Sequence, residues 1–195
     1  MDTFSKLSPT ITNMIRTDHT HVMSTFHQYE IDTSPQTKQA LVNSACLALE
    51  IHAQLEEEIF YPAMRSIGME SIIDDKNYPE HDQIRQLIAR LRAMDADDSN
   101  YDETFMQLMR IVIHHVADEE TVLLPEAERR LDTDRLSELG AQMTKRRLKL
   151  MRPRMAELAI NTVRGMPATS MLVAAGAVLA GTYLVRRSMA GRHAY

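Results

Sequence analysis

Two stretches carry the same chemistry-bearing residues in the same order. His52-Ala-Gln-Leu-Glu56-Glu57-Glu-Ile-Phe-Tyr-Pro62 and His115-Val-Ala-Asp-Glu119-Glu120-Thr-Val-Leu-Leu-Pro125 both read H-x3-E-E-x4-P. Residues four apart lie about one turn from each other on one helical face, so each block brings an imidazole and a carboxylate within reach of one cation. An acidic residue and a histidine precede each block: Asp18-His19 stands 33 residues before His52, and Glu80-His81 stands 34 before His115. The first 130 residues or so therefore repeat one unit, a helix with a single histidine, a loop, and a helix with His-x3-Glu. Pooled, His19, His52, His81 and His115 with Glu56 and Glu119 make the inward-facing donor set of a carboxylate-bridged di-iron or di-manganese bundle.

Two His-x3-Glu helices, each with a glutamate able to bridge, would hold two metals a few ångströms apart, and the lone histidines would complete the two ends. Imidazole with carboxylate suits iron best here, with manganese or zinc as lesser choices; with one cysteine in the chain, no thiolate cluster can form. Asp18, Glu57, Glu80 and Glu120 flank the ligands, and each is placed to orient an imidazole through its second nitrogen. Adjacency does not say which carboxylate serves which ring. Singly, any of these histidines is more often a packed or surface residue than a ligand. As a set repeated at a fixed offset they resist that reading, because two carboxylates without a cation among apolar side chains would cost about several kcal/mol each.

Such a set needs four helices, and the periodicity supplies them. Ser8-Pro9 marks a start for a first helix running to about Tyr29, with Ile15, His19, Val22, Met23 and Phe26 on one stripe. His21 falls among Thr17, Asp18, Ser24 and Thr25, on a polar face. Asp32-Thr-Ser-Pro35 reads as a turn and cap for a second helix from about Gln36 towards Gly68, lined by Leu41, Ala45, Ala48, His52, Glu56 and Ile59, which Pro62 should kink or end. A turn at Asp74-Asp75-Lys76-Asn77 introduces a third helix to about Met94, with Tyr78, His81, Ile84 and Ile88 on one side. After a polar loop from Asp95 to Asn100, a fourth spans roughly Tyr101 to Leu131, with Leu108, Ile111, Val112, His115, Glu119 and Val122 inward. Its three- and four-spaced neighbours place His115 inside and His114 outside. Cys46, between Ala45 and Leu49, reads as a small core residue.

The expected architecture is thus all-α: an up-down four-helix bundle of two duplicated hairpins over residues 1–132, then a basic helical linker over 133–166. An apolar tail helix over 167–187 and a short end over 188–195 complete the chain. The linker carries Lys145, Arg146, Arg147, Lys149, Arg152, Arg154 and Arg164, a run suited to anionic lipid headgroups or simply to solvent. The uncharged run from Ala168 to Val185 is about the minimum that spans a bilayer at roughly 1.5 Å per residue. Basic residues before it outnumber those after it, which favours a cytoplasmic bundle anchored to a membrane by its C-terminus. Small residues around Gly176 and Gly181 would also let the tail pack in a homo-oligomer.

Composition narrows the remaining classes. A formal charge of -5 argues against a nucleic-acid partner, and the first twenty residues lack the basic start and apolar core of a secretory signal, so the bundle is expected in the cytoplasm. Plentiful methionine and the absence of tryptophan suit helical packing.

From about residue 10 to 131, the two H-x3-E-E-x4-P blocks, the Asp18-His19 and Glu80-His81 starts and the helix order resemble the hemerythrin-like HHE cation-binding family. The resemblance implies a non-haem di-iron centre on His19, His52, Glu56, His81, His115 and Glu119. Oxygen-carrying hemerythrins have a further ligand histidine one turn after the helix 3 histidine, where this chain has Arg85. They bridge with an aspartate five residues after the helix 4 histidine, where this chain has Glu120. Four histidines with two glutamates look more like the di-iron proteins of nitric oxide response and iron-sulfur cluster repair, although the cysteine-bearing N-terminal domain common in those is not among these residues. The expected function is binding or sensing of O2 or NO, or buffering of iron. The alternative is a redox enzyme acting on nitric oxide or peroxide, or supporting iron-sulfur repair. Tyr29, Tyr61 and Tyr78 are candidates for a role around the metals, with packing the more ordinary reading.

Overall fold

The computed structural model describes residues 9–155 and 160–161; the apolar run from Ala168 to Val185, the oligomer contact ascribed to it and the 188–195 end lie outside the described residues. No helix among the described residues is long and apolar enough to cross a membrane. The described chain is all-helical, with five principal helices: α1 (Ile11–His27), α2 (Pro35–Leu55), α3 (Tyr78–Arg92), α4 (Tyr101–Asp118) and α5 (Thr133–Met151). α1 packs on α2, α3 on α4, α2 on α3 and α1 on α4, which closes four of them into a bundle.

Local chemistry sets where these helices begin. α1 is capped by Thr10, whose side chain accepts from Asn13 N, two residues later than the Ser8-Pro9 start. Ser34 caps α2 with Pro35 in the first turn, and the Asp132 carboxylate accepts from Arg135 N to start α5. The chain reverses between α2 and α3 at Gly68, which adopts φ 81°, a left-handed conformation that suits glycine. The turn expected at Asp74-Asp75-Lys76-Asn77 is helical instead, because residues Ile73–Asn77 form a wide turn leading directly into α3.

That wide turn is one of three. Glu56–Phe60 extends α2 into a short helix Tyr61–Arg65, and Glu119–Leu123 extends α4 into Leu124–Arg130. At each, a backbone N–H reaches back five residues rather than four: Tyr61 to Glu56, Tyr78 to Ile73, Leu124 to Glu119. A proline follows each donor, at Pro62, Pro79 and Pro125. Proline has no N–H to give and crowds the turn behind it; one extra residue in the turn relieves that crowding without ending the helix. Pro62 therefore does not stop its helix. The extra residue also rotates everything beyond it, so Phe60 and Leu123 face the core, while Ile59 is half-buried and Val122, expected inside, is exposed.

α5 packs against α1 and α2 through Leu136, Leu139 and Met143, all buried. Its approach depends on Gly140: a Cβ there would lie 2.0 Å from the Pro9 carbonyl oxygen. Two of its basic residues are committed to the bundle, Arg146 to Glu58 and Arg147 to Asp18. The segment drawn as a linker is, over Thr133–Met151, a fifth packed helix. His21 is exposed, as its neighbours imply, but Thr25 on that face is buried, with its hydroxyl donating to the His21 carbonyl.

Candidate metal centre

His19, His52, Glu56, His81, His115 and Glu119 all lie inside the bundle, with the two carboxylates fully buried. His114 points out, its side chain 69% exposed. One ligand atom each from His19, His52, Glu56 and Glu119 lie within 4.8 Å of one another, and the same holds for Glu56, His81 and His115. Each carboxylate reaches imidazoles from two helices. Glu56 Oε2 is 3.2 Å from His52 Nε2 and 3.4 Å from His81 Nε2; Glu119 Oε2 is 3.3 Å from His19 Nε2 and 3.6 Å from His115 Nε2. Each glutamate thus stands between imidazoles carried by two different helices.

The outer nitrogens answer the question of which acid holds which ring. His19 Nδ1 donates to Glu120 at 2.9 Å, His81 Nδ1 to Glu57 at 2.9 Å, and His115 Nδ1 to Glu80 at 2.8 Å; His52 Nδ1 faces Asp18 at a longer 3.5 Å. Each acid neighbours a ligand of one helix and orients the imidazole of the next, so the four contacts run α1 to the turn after α4, α4 to α3, α3 to the turn after α2, and α2 back to α1. This closed ring fixes the proton on Nδ1 and leaves the Nε2 lone pair turned inward in every case.

Turned inward, those atoms lack ordinary partners. His19 Nε2, His52 Nε2, Glu56 Oε1 and Glu119 Oε2 are buried with no hydrogen bond among the described residues, and His81 Nε2 lies 3.2 Å from His115 Nε2. Two imidazole lone pairs at that distance repel unless a proton or a cation lies between them. The charges conflict as well. Burial and the nearby Glu119 push the Glu56 carboxyl well above the usual carboxylate range, whereas Glu119 is held low by His115 and His19 against its own burial. Burial opposes charge on His19 and His115, but the surrounding carboxylates outweigh it and lift both above the ordinary imidazole value; at His52 burial dominates and pushes it down to about 4. By themselves the six groups cannot all carry their preferred charge. Divalent cations would satisfy the unpaired atoms and let both carboxylates ionise, so the residues present fit a pair of metal ions.

Two more groups reach the cage, Tyr61, whose spacing gives packing as its ordinary reading, and Asn77, which the sequence places only in a turn. The Tyr61 hydroxyl donates to Glu119 Oε1 at 3.1 Å and lies 3.2 Å from His81 Nε2 and 3.4 Å from Glu56 Oε2, while Asn77 Nδ2 donates to the same Glu119 oxygen at 3.1 Å. Burial, with Glu119 and Glu56 beside it, pushes the Tyr61 phenol well up, so it stays protonated. A signal for both was available in the internal repeat: Tyr61 corresponds to Leu124 and Asn77 to Ile15, so these are places where one copy is polar and the other apolar. Tyr78 packs edge-on to Tyr61, and Tyr29 is remote, donating to Asp102. Arg85 stays outside the cage and donates to Glu57 and Asp82.

Beside the four histidines lies a cavity of about 10 Å³, walled by Val22, Leu49, Ile84, Val112 and Val116. It has room for a molecule of about water's size, with aliphatic side chains on one side and Asp18 and the four histidines on the other.

Three comparisons bear on this arrangement. Residues 10–127 match the hemerythrin HHE cation binding domain family. A solved hemerythrin HHE cation-binding domain-containing protein from Mycobacterium kansasii superposes with a TM-score of 0.64 over 81% of this chain and 99% of that one, at 18% identity, which is a likeness of fold. A curated protein from Nostoc sp. (strain PCC 7120 / SAG 25.82 / UTEX 2576) named DNA nickase is 26% identical over 140 residues, 72% of this chain; the chain spans 40% of that protein's length. With more than half of its length matched, and with the paired His-x3-Glu helices meeting in one buried cage, the chain belongs to the hemerythrin HHE cation-binding domain family.

Proposed function

We propose that this chain is a non-haem di-iron protein that binds or senses a small diatomic ligand, O2 or NO, or buffers iron. His19, His52, Glu56, His81, His115 and Glu119 would hold the irons, and Asp18, Glu57, Glu80 and Glu120 would keep the imidazoles in place. The all imidazole and carboxylate donor set suits iron, with manganese or zinc as lesser choices, in a family of cation binders. Bound iron would supply an open coordination position and one-electron redox chemistry. The observation that carries a diatomic ligand is the cavity of about 10 Å³ between the four histidines and a set of aliphatic side chains, too small for an organic substrate.

Tyr61 favours a second reading, a redox enzyme acting on nitric oxide or peroxide. A protonated phenol in contact with Glu119 and His81 would donate a hydrogen bond beside the ligand set, where it could steady a charge that builds up during reduction. The chain's net charge of -5 lends no support to a nicking activity on DNA.

Stopped-flow mixing of the reduced, iron-loaded chain with NO or O2 separates the readings. One stoichiometric, reversible adduct supports binding or sensing. Repeated turnover that drops about tenfold or more in Tyr61→Phe, with metal content unchanged, supports the enzyme. Iron that binds and leaves with neither response supports buffering.

A further inference from the structure

We propose that the pocket between α1, α2, the end of α5 and Asn161 binds an uncharged, largely apolar molecule bearing carbonyl oxygens, about the size of a naphthoquinone. The pocket has a volume of about 510 Å³, within the range of roughly 300–1,000 Å³ typical of small-molecule sites. Val22, Leu47, Ala48, Ile51 and Met151 give it apolar walls, and its inner end reaches Asp18 and His52, on the outer side of the metal cage.

Two lining residues make the chemistry specific. Arg147 Nε and Asn161 Nδ2 are both buried with no hydrogen-bond partner among the described residues, and Asn161 as a whole is only 6% exposed. Both atoms are donors only, so they call for acceptor oxygens on whatever fills the space. The Arg147 Nη groups are already spent on Asp18, at 2.6 and 2.5 Å, which neutralises the one full positive charge in the wall. Among the described lining residues Arg147 and Asp18 are paired with each other, so a carboxylate or an ammonium would have to break that pair, while Thr17, His21, Thr25, Gln28 and Ser44 add polar edges. A neutral molecule with carbonyl groups meets the unsatisfied donors and leaves the Arg147–Asp18 pair whole. Its occupancy would bear on Arg147 and, through Asp18, on the His52 ring. The site stands independently of which metal fills the cage.

Equilibrium dialysis of the full chain against 2,3-dimethyl-1,4-naphthoquinone, whose substituted ring carbons cannot alkylate Cys46, tests this directly. The expected result is saturable binding of one molecule per chain, at least about tenfold tighter than decanoate, the carboxylate-bearing control. Ala48→Phe fills the pocket and should weaken binding by about tenfold or more, while Asn161→Leu, which removes one donor, should weaken it by about five- to tenfold. Metal content should be unchanged in both. Absence of saturable binding, decanoate binding as tightly as the quinone, or full affinity in Asn161→Leu overturns the proposal. Asn161→Leu decides the matter alone should circular dichroism find Ala48→Phe misfolded.

Discussion

Replacing Glu80 probes the ring of carboxylates that orients the imidazoles. Glu80 Oε2 accepts from His115 Nδ1 at 2.8 Å, and its side chain is 13% exposed, so solvent does little to screen the bond. A charge-assisted hydrogen bond of this kind contributes about 1.5–3 kcal/mol, or about 10- to 100-fold in metal affinity if it acts through the ligand it holds. Glu80→Gln keeps an acceptor oxygen and loses the charge, which places it at the low end. Glu80→Ala leaves His115 Nδ1 buried and unpaired, which places it at the high end. Glu120 makes the matching bond to His19 but is 39% exposed, so water replaces much of what Glu120→Gln removes, and its effect should be the smaller. Competition with a chelator at neutral pH, read as metal retained per chain, measures all three. Affinity unchanged in Glu80→Ala, or a larger loss in Glu120→Gln than in Glu80→Ala, would refute the reasoning.

Two predictions concern the scaffold. Gly140→Ala drives a methyl into the Pro9 carbonyl and should unseat α5, lowering stability by about 1–3 kcal/mol in thermal unfolding; a variant as stable as the parent would mean that α5 does not dock there. At the far end of the bundle, Asp102 accepts from Lys38 Nζ at 2.9 Å and from the Tyr29 hydroxyl; burial opposes its charge, but these bonds outweigh it and hold its carboxyl below the usual range. A depressed folded value means the stabilisation is whole above the unfolded value of about 3.9 and is lost as pH falls through the folded one. Asp102→Asn should therefore be about 1–2 kcal/mol less stable than the parent at pH 7, with the gap closing below about pH 4 in chemical denaturation; a gap that is independent of pH contradicts this.

The histidine faces were legible because helical spacing alone decides them: His19, His81 and His115 each sit three or four residues from aliphatic side chains that are buried here, whereas His21 and His114 do not. The four flanking acids were legible as a group, but their ring of contacts was not, since each reaches to a different helix. Val122 is exposed and Ile59 only half-buried against the core because a turn that bonds five residues back leaves the composition unchanged and shifts the face by one residue. The proline one position beyond each such turn was the available clue. The docking of α5 was obscured by its many basic residues, although Leu136, Leu139 and Met143 carry the apolar spacing. Tyr61 was set beside Tyr29 and Tyr78 as one of three similar candidates; only packing places its hydroxyl in the cage and theirs outside it.

The account rests on two cations held by six side chains, and iron analysis of the anaerobically loaded full chain tests that most directly. Two equivalents per chain are predicted, falling to one or none when Glu56 and Glu119 are both replaced by alanine, with the helical content retained. Two tightly held equivalents in the doubly substituted chain would contradict it.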